Sequence, residues 1–119
     1  MKVAISTSGK DLSAALDPRF GRAAGFLVID TESQDFTFHD NSQNLQAAQG
    51  AGIQAAQNVA ATGVKTVITG HMGPKAFMAV DRGNIDVYLS TAATVQEALE
   101  AFKAGSLEKA AGPDKQGHW

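Results

Sequence analysis

The stretch VKTVITGHMGPKAFMAVDRGNIDVYLS, residues 64–90, decides the fold. Val64–Gly70 is an apolar, β-branched run and predicts a strand. GPKAFMAVDRG places Pro74 in the first turn of a helix and Gly83 at its end. NIDVYLS, residues 84–90, predicts a second strand. A strand, a helix and a strand in succession imply a right-handed crossover and parallel pairing. The next segment, TVQEALEAFKAG, is amphipathic; Thr94 is its N-cap, Glu97 three residues on completes a capping box, and Gly105 closes it. Residues 106–119, rich in Gly, Pro and charge, predict a mobile tail with little to pack.

Toward the N-terminus, GIQAAQNVAATG predicts a helix with Ile53, Ala56, Val59 and Ala60 on one face, stopped by Gly63. The polar run before it, residues 41–52, predicts a loop. Three strands come first: Lys2–Thr7, Gly25–Thr31 and Asp35–Asp40. Only ESQ separates the second from the third, so these two form an antiparallel hairpin. The expected architecture is one α/β domain over residues 1–105, a mixed five-stranded sheet with helices on its faces. The first strand is central, with the antiparallel meander on one side and the parallel crossover strands on the other.

The composition fits that picture. The chain has 119 residues, 44% hydrophobic and 18% charged, enough to bury a core within a single domain. A net charge of -2 argues against nucleic acid or a membrane surface as the main partner. No apolar run reaches membrane-spanning length, and the first residues enter a strand without a signal-peptide core, so the expected location is the cytoplasm. There is no cysteine. That excludes disulfides, thiolate catalysis and Cys-ligated zinc or iron–sulfur sites; any metal arrives with its own ligands or uses His, Met or carboxylate.

In an open sheet of this kind ligands gather outside the carboxyl ends of parallel strands, where strand order reverses. Three loops leave those ends: SGKDLSAALDPRFGRAA, GHMGPK and STAAT, and QGAGIQ opens the first helix nearby. Arg19 and Arg22 offer forked, permanently charged donors. Gly50, Gly52, Gly70 and Gly73 permit close backbone approach, and the helix starts near Ile53 and Lys75 present free N–H groups. Each feature also has a plain structural reading. The arginines pair with Asp17 or Asp30, the GAG run makes a turn, Met72 packs, and Phe20 pins the loop to the core. No Gly-x-Ser-x-Gly elbow, Walker A motif or His-Glu-x-x-His is present, so the expectation is binding and not catalysis. A regulatory domain that binds a protein partner, or a phosphate- or nucleotide-binding module, remains open at this level.

Two elements carry a resemblance. Asp17, Arg19, Phe20, Gly21, Arg22 and Ala23 form D-x-R-F-G-R-A, and Thr69, Gly70, Gly73, Pro74 and Ala76 form T-G-x-x-G-P-x-A. Together they resemble the NifX/NifB C-terminal family of dinitrogenase iron–molybdenum cofactor-binding proteins, over roughly residues 1–104. The resemblance implies a ribonuclease-H-like mixed sheet and a metal–sulfur cofactor or its precursor. A single-domain, cysteine-free chain is most similar to members that hold a molybdenum–copper sulfide cluster without covalent bonds, copper lying between thiomolybdate units. Thiomolybdate and copper are then the implied inorganic partners, and an iron–molybdenum cofactor precursor is the alternative cargo. The residues expected to face it are Arg19, Phe20, Gly21, Arg22, Gly50, Gly52, Gly70, His71, Met72, Gly73 and Lys75, with His71 as the candidate metal ligand.

Overall fold

The computed structural model describes residues 1–41 and 51–112. The strands are β1 (Lys2–Thr7), β2 (Gly25–Asp30), β3 (Phe36–Asp40), β4 (Thr66–Thr69), β5 (Asp86–Leu89) and β6 (Glu108–Lys109). The helices are α1 (Ala51–Ala61), α2 (Pro74–Arg82) and α3 (Val95–Lys103), with a short 3-10 helix at Phe20–Arg22. The sheet order is β3-β2-β1-β4-β5-β6. β1 pairs antiparallel with β2 and parallel with β4, and β4 pairs parallel with β5. The meander and the crossover strands thus flank a central β1, as the element order predicts.

The five-stranded expectation needs correction, because the sheet has six strands. β6 lies in the segment read as tail and runs antiparallel to β5, pairing Tyr88 with Lys109 and Leu89 with Glu108. Leu107 packs on the α3 side of the sheet and Ala110 on the α1/α2 side. Single apolar residues in a polar run carry no periodicity, so this strand leaves no trace in the sequence. Residues 113–119 of the expected tail lie outside the described residues.

Alternation within the strands builds two cores. Ala4, Phe26, Val28, Val67 and Val87 face α1 and α2. Val3, Ile5, Leu27, Ile29 and Ile68 face Val95, Ala98 and Leu99 of α3. Both faces of the central strands are therefore covered, giving three layers.

The buried face of α1 also differs from expectation. Ala51, Gly52, Ala55, Ala56 and Val59 are buried, whereas Ile53 is 38% exposed and Ala60 is exposed. The helix begins two residues before Ile53, and it sits on the sheet through small side chains. A close approach of helix to sheet decided the face, against the hydrophobicity of one isoleucine. Gly63 (φ 82) and Gly105 (φ 75) do end α1 and α3 in the left-handed region. After α2 that conformation falls to Asn84 (φ 58) and not to Gly83.

Candidate functional site

Three crossover strands end on the same edge, at Thr7, Thr69 and Leu89. The loop after β1 crosses that edge and is stitched to both neighbours. Leu16 N–H donates to Ala93 O at 3.1 Å, and Asp17 N–H to Ser6 O at 3.0 Å. His71 N–H donates to Pro18 O at 2.7 Å, and Phe20 N–H to His71 O at 3.3 Å, so Arg19 and His71 pair as a parallel bridge. The two sequence elements singled out above are thus side by side.

Beneath them lies a buried polar knot. The Ser6 hydroxyl lies 2.6 Å from Asp17 O and 2.8 Å from Thr69 Oγ1. Ser6 and Thr69 are both fully buried. Having one proton, Ser6 donates it to the carbonyl and accepts from Thr69, which ties the loop to β1 and β4 together. Gly70 completes the joint. A Cβ there would lie 2.7 Å from Pro18 Cα and 2.9 Å from Pro18 O. The space read as room for a ligand's approach is filled by the chain's own Pro18, and the glycine serves the loop crossing.

Arg19 is half-exposed, its side chain 54% accessible, and its Nε sits 3.5 Å from Asp17 Oδ1. The same carboxylate oxygen accepts from Arg19 N–H at 2.9 Å. The plain reading of Arg19 as a partner of Asp17 is therefore realised, while no hydrogen bond among the described residues engages its terminal nitrogens. Arg22 is half-buried at the end of the 3-10 helix, which packs on α1. Asp30 does not pair with an arginine; it accepts from the Glu32 and Ser33 N–H groups at 2.8 and 3.2 Å, and those bonds hold its carboxyl below the usual range. The Ser13 hydroxyl and N–H do the same for Asp11 in the loop after β1.

Phe20 and Met72 are 0% and 1% exposed and belong to the core under α1 and α2, Phe20 tilted against Phe26 with ring centroids 5.3 Å apart. They anchor the two loops and present no surface to a ligand. Gly21 and Gly73 are buried in the backbone turns of the 3-10 helix and of the α2 N-cap. Gly52 is buried inside α1, and Gly50 lies outside the described residues. Lys75 is exposed but lines a separate apolar groove with Ile53, Met78 and Arg82, between α1 and α2.

Between the loops after β4 and β5 lies a cleft of about 300 Å³, lined by Leu16, Pro18, Gly70, His71 and residues 90–93; a second, of about 550 Å³, lies beside residues 8–10 and Phe38. Sequence reasoning named the third loop but none of its side chains; Ser90, Ala92 and Ala93 carry no charge and form no motif. Among the described residues no group of three His, Asp or Glu side chains is gathered to hold a bare metal ion. No helix among them is long and apolar enough to cross a membrane.

The family model described as dinitrogenase iron-molybdenum cofactor matches residues 1–105. The chain belongs to this family. The apo form of the orange protein from Desulfovibrio gigas is similar at 40% identity and a TM-score of 0.92, with 96% of each chain covered. A Thermotoga protein provisionally named NifB is similar at 35% identity and a TM-score of 0.84, covering 98% of each chain. A protein of Methanocaldococcus jannaschii is 30% identical over 111 residues, 92% of this chain and 91% of its own. The family match ends at residue 105, just after α3, so β6 lies beyond it.

Proposed function

We propose that this family member carries an anionic metal–sulfur cluster as non-covalent cargo on the carboxyl edge of its parallel strands. The observation that supports this most directly is the backbone pairing of Arg19 with His71, a residue that lines the cleft. A cluster that brings inorganic sulfide needs no cysteine from the protein. It needs positive charge, a few donors and partial exclusion of water. Guanidinium is weakly hydrated and suits the diffuse charge of sulfide better than ammonium does. Arg19, half-exposed although paired with Asp17, and Arg22 are the cationic groups this reading assigns to the cargo, in a chain of net charge -2 whose distant charges are screened. The finer reading is a molybdenum–copper sulfide cluster assembled from thiomolybdate and copper, held by a cytoplasmic carrier that binds without catalysing a reaction. His71 is the residue here to touch copper or to orient the assembly.

The test is assembly on the apo-protein. Tetrathiomolybdate and a copper salt are added, the mixture is gel-filtered, and visible absorbance and metal content are read on the protein peak. Molybdenum and copper eluting at a fixed ratio with this chain, and not with an unrelated acidic protein, are expected. Arg19→Ala weakens retention by about 1 kcal/mol, since the group is half-exposed. The more buried Arg22→Ala costs on the order of 1–3 kcal/mol, and lysine at either position rescues in part. The same product on the control protein, or no metal on this one, defeats the reading and moves a protein-partner role ahead of it.

A further inference from the structure

We propose that the cleft between His71 and the 90–93 loop seats one tetrahedral thioanion, a single thiomolybdate unit, and that Ser90 is the side chain that recognises it. This deepens the cargo reading and rests on it. Ser90 is 6% exposed and lines the cleft. Its Oγ accepts from Ala92 N–H at 3.1 Å, while its own proton meets no acceptor among the described residues. A buried hydroxyl with an unused proton is a standing cost that an anionic acceptor relieves. The backbone holds the residue in place: Ser90 N–H donates to Thr69 O at 2.9 Å, and Thr69 belongs to the knot with Ser6. The Thr91 and Ala93 N–H groups likewise donate to nothing among the described residues, so the same short loop carries three donors without a protein acceptor.

The walls choose between kinds of anion. Leu16, Pro18, Gly70, Ala92 and Ala93 contribute no polar side-chain atom to the lining. A hard oxoanion loses many water contacts here and recovers few. A thioanion has diffuse charge and polarisable sulfur, and it gains dispersion contacts against those walls. The backbone of Arg19 pairs with that of His71, a lining residue, and the half-exposed Arg19 side chain is the group to supply countercharge.

The test uses ¹⁵N-labelled apo-protein titrated with tetrathiomolybdate alone, without copper, and separately with molybdate. Tetrathiomolybdate is expected to shift the amides of Ser90–Ala93 and His71, and molybdate at equal concentration to shift them little. Ser90→Ala raises the Kd roughly tenfold, the loss expected for one charge-assisted hydrogen bond. Ala92→Leu, at a partly exposed position, fills the cleft and removes the shifts while the far-ultraviolet spectrum is unchanged. Shifts confined to Arg19 and Arg22, wild-type affinity in both variants, or stronger shifts with molybdate overturn this inference and leave the cargo reading standing. Failure of the protein to take up molybdenum in any thiometallate form overturns the cargo reading, and this one with it.

Discussion

Gly70 shows how one position can be read correctly as a close approach and still be misread as to what approaches. Its hydrogen faces Pro18, with the Pro18 Cβ 2.7 Å from where a side chain would begin. The contact is with the Pro18 backbone and the Cβ of its closed ring, so no rotamer change can relieve it. Gly70→Ala is expected to lower stability by about 1–3 kcal/mol in urea denaturation, the usual cost of overpacking. It should also strain the His71–Pro18 bond and move Arg19 away from the cleft. Loss of cluster retention beyond the loss of stability would show that displacement. A fully stable variant would mean that the loop crosses β4 less tightly than the 2.7 Å His71 N to Pro18 O distance indicates.

α3 and the loop after β1 complete one another. The first N–H groups of a helix have no partner inside it. Here Val95 N–H donates to Ala14 O at 3.0 Å and Gln96 N–H to Leu12 O at 2.9 Å. Thr94 Oγ1 accepts from Glu97 N–H at 3.2 Å and lies 3.0 Å from Glu97 Oε1. The N-cap half of the predicted capping box is present, with Glu97 meeting the Thr94 hydroxyl in place of its N–H, and the loop satisfies two further donors. This N-terminus is therefore used within the fold and is not available to an anion. Thr94 also bridges Ala15, so the cap and the loop share a residue. Thr94→Ala is expected to cost about 1 kcal/mol in thermal denaturation followed by circular dichroism. Thr94→Ser, which keeps the oxygen, should recover most of it. Equal losses in the two variants would show that the bridge and not the cap is at stake.

The sheet has two edges of different kinds. β3 is a five-residue outer strand, mostly exposed, carrying His39 and Asp40. At the other edge, β5 would present unpaired N–H and C=O groups next to the core, and the two residues of β6 cover them, aided by Lys109 Nζ at 3.2 Å from Asp86. An open edge beside apolar residues invites pairing with another chain. A chain ended at Gly105 is therefore expected to unfold on the order of 3–8 °C lower and to self-associate more in sedimentation at high concentration. Unchanged melting and a monodisperse boundary would show that β5 tolerates solvent alone.

Five of the six strands, the three helices, their order and the central place of β1 were legible in the chain because each rests on local chemistry. β-branched runs, a proline in the first turn, a capping threonine and terminal glycines act over a few residues. The same holds for the two motifs that led to the family, since Arg19, Arg22 and the Thr69–Pro74 turn are contiguous patterns. The packing could not be read that way. Which face of α1 is buried depended on how closely small residues let the helix approach the sheet. Gly70 is filled by Pro18, Ser90 stands at the wall of a cleft, and Glu108–Lys109 form a strand, because segments distant in sequence meet there. Those outcomes depend on distances between elements, and a linear pattern of residue types carries no such distances.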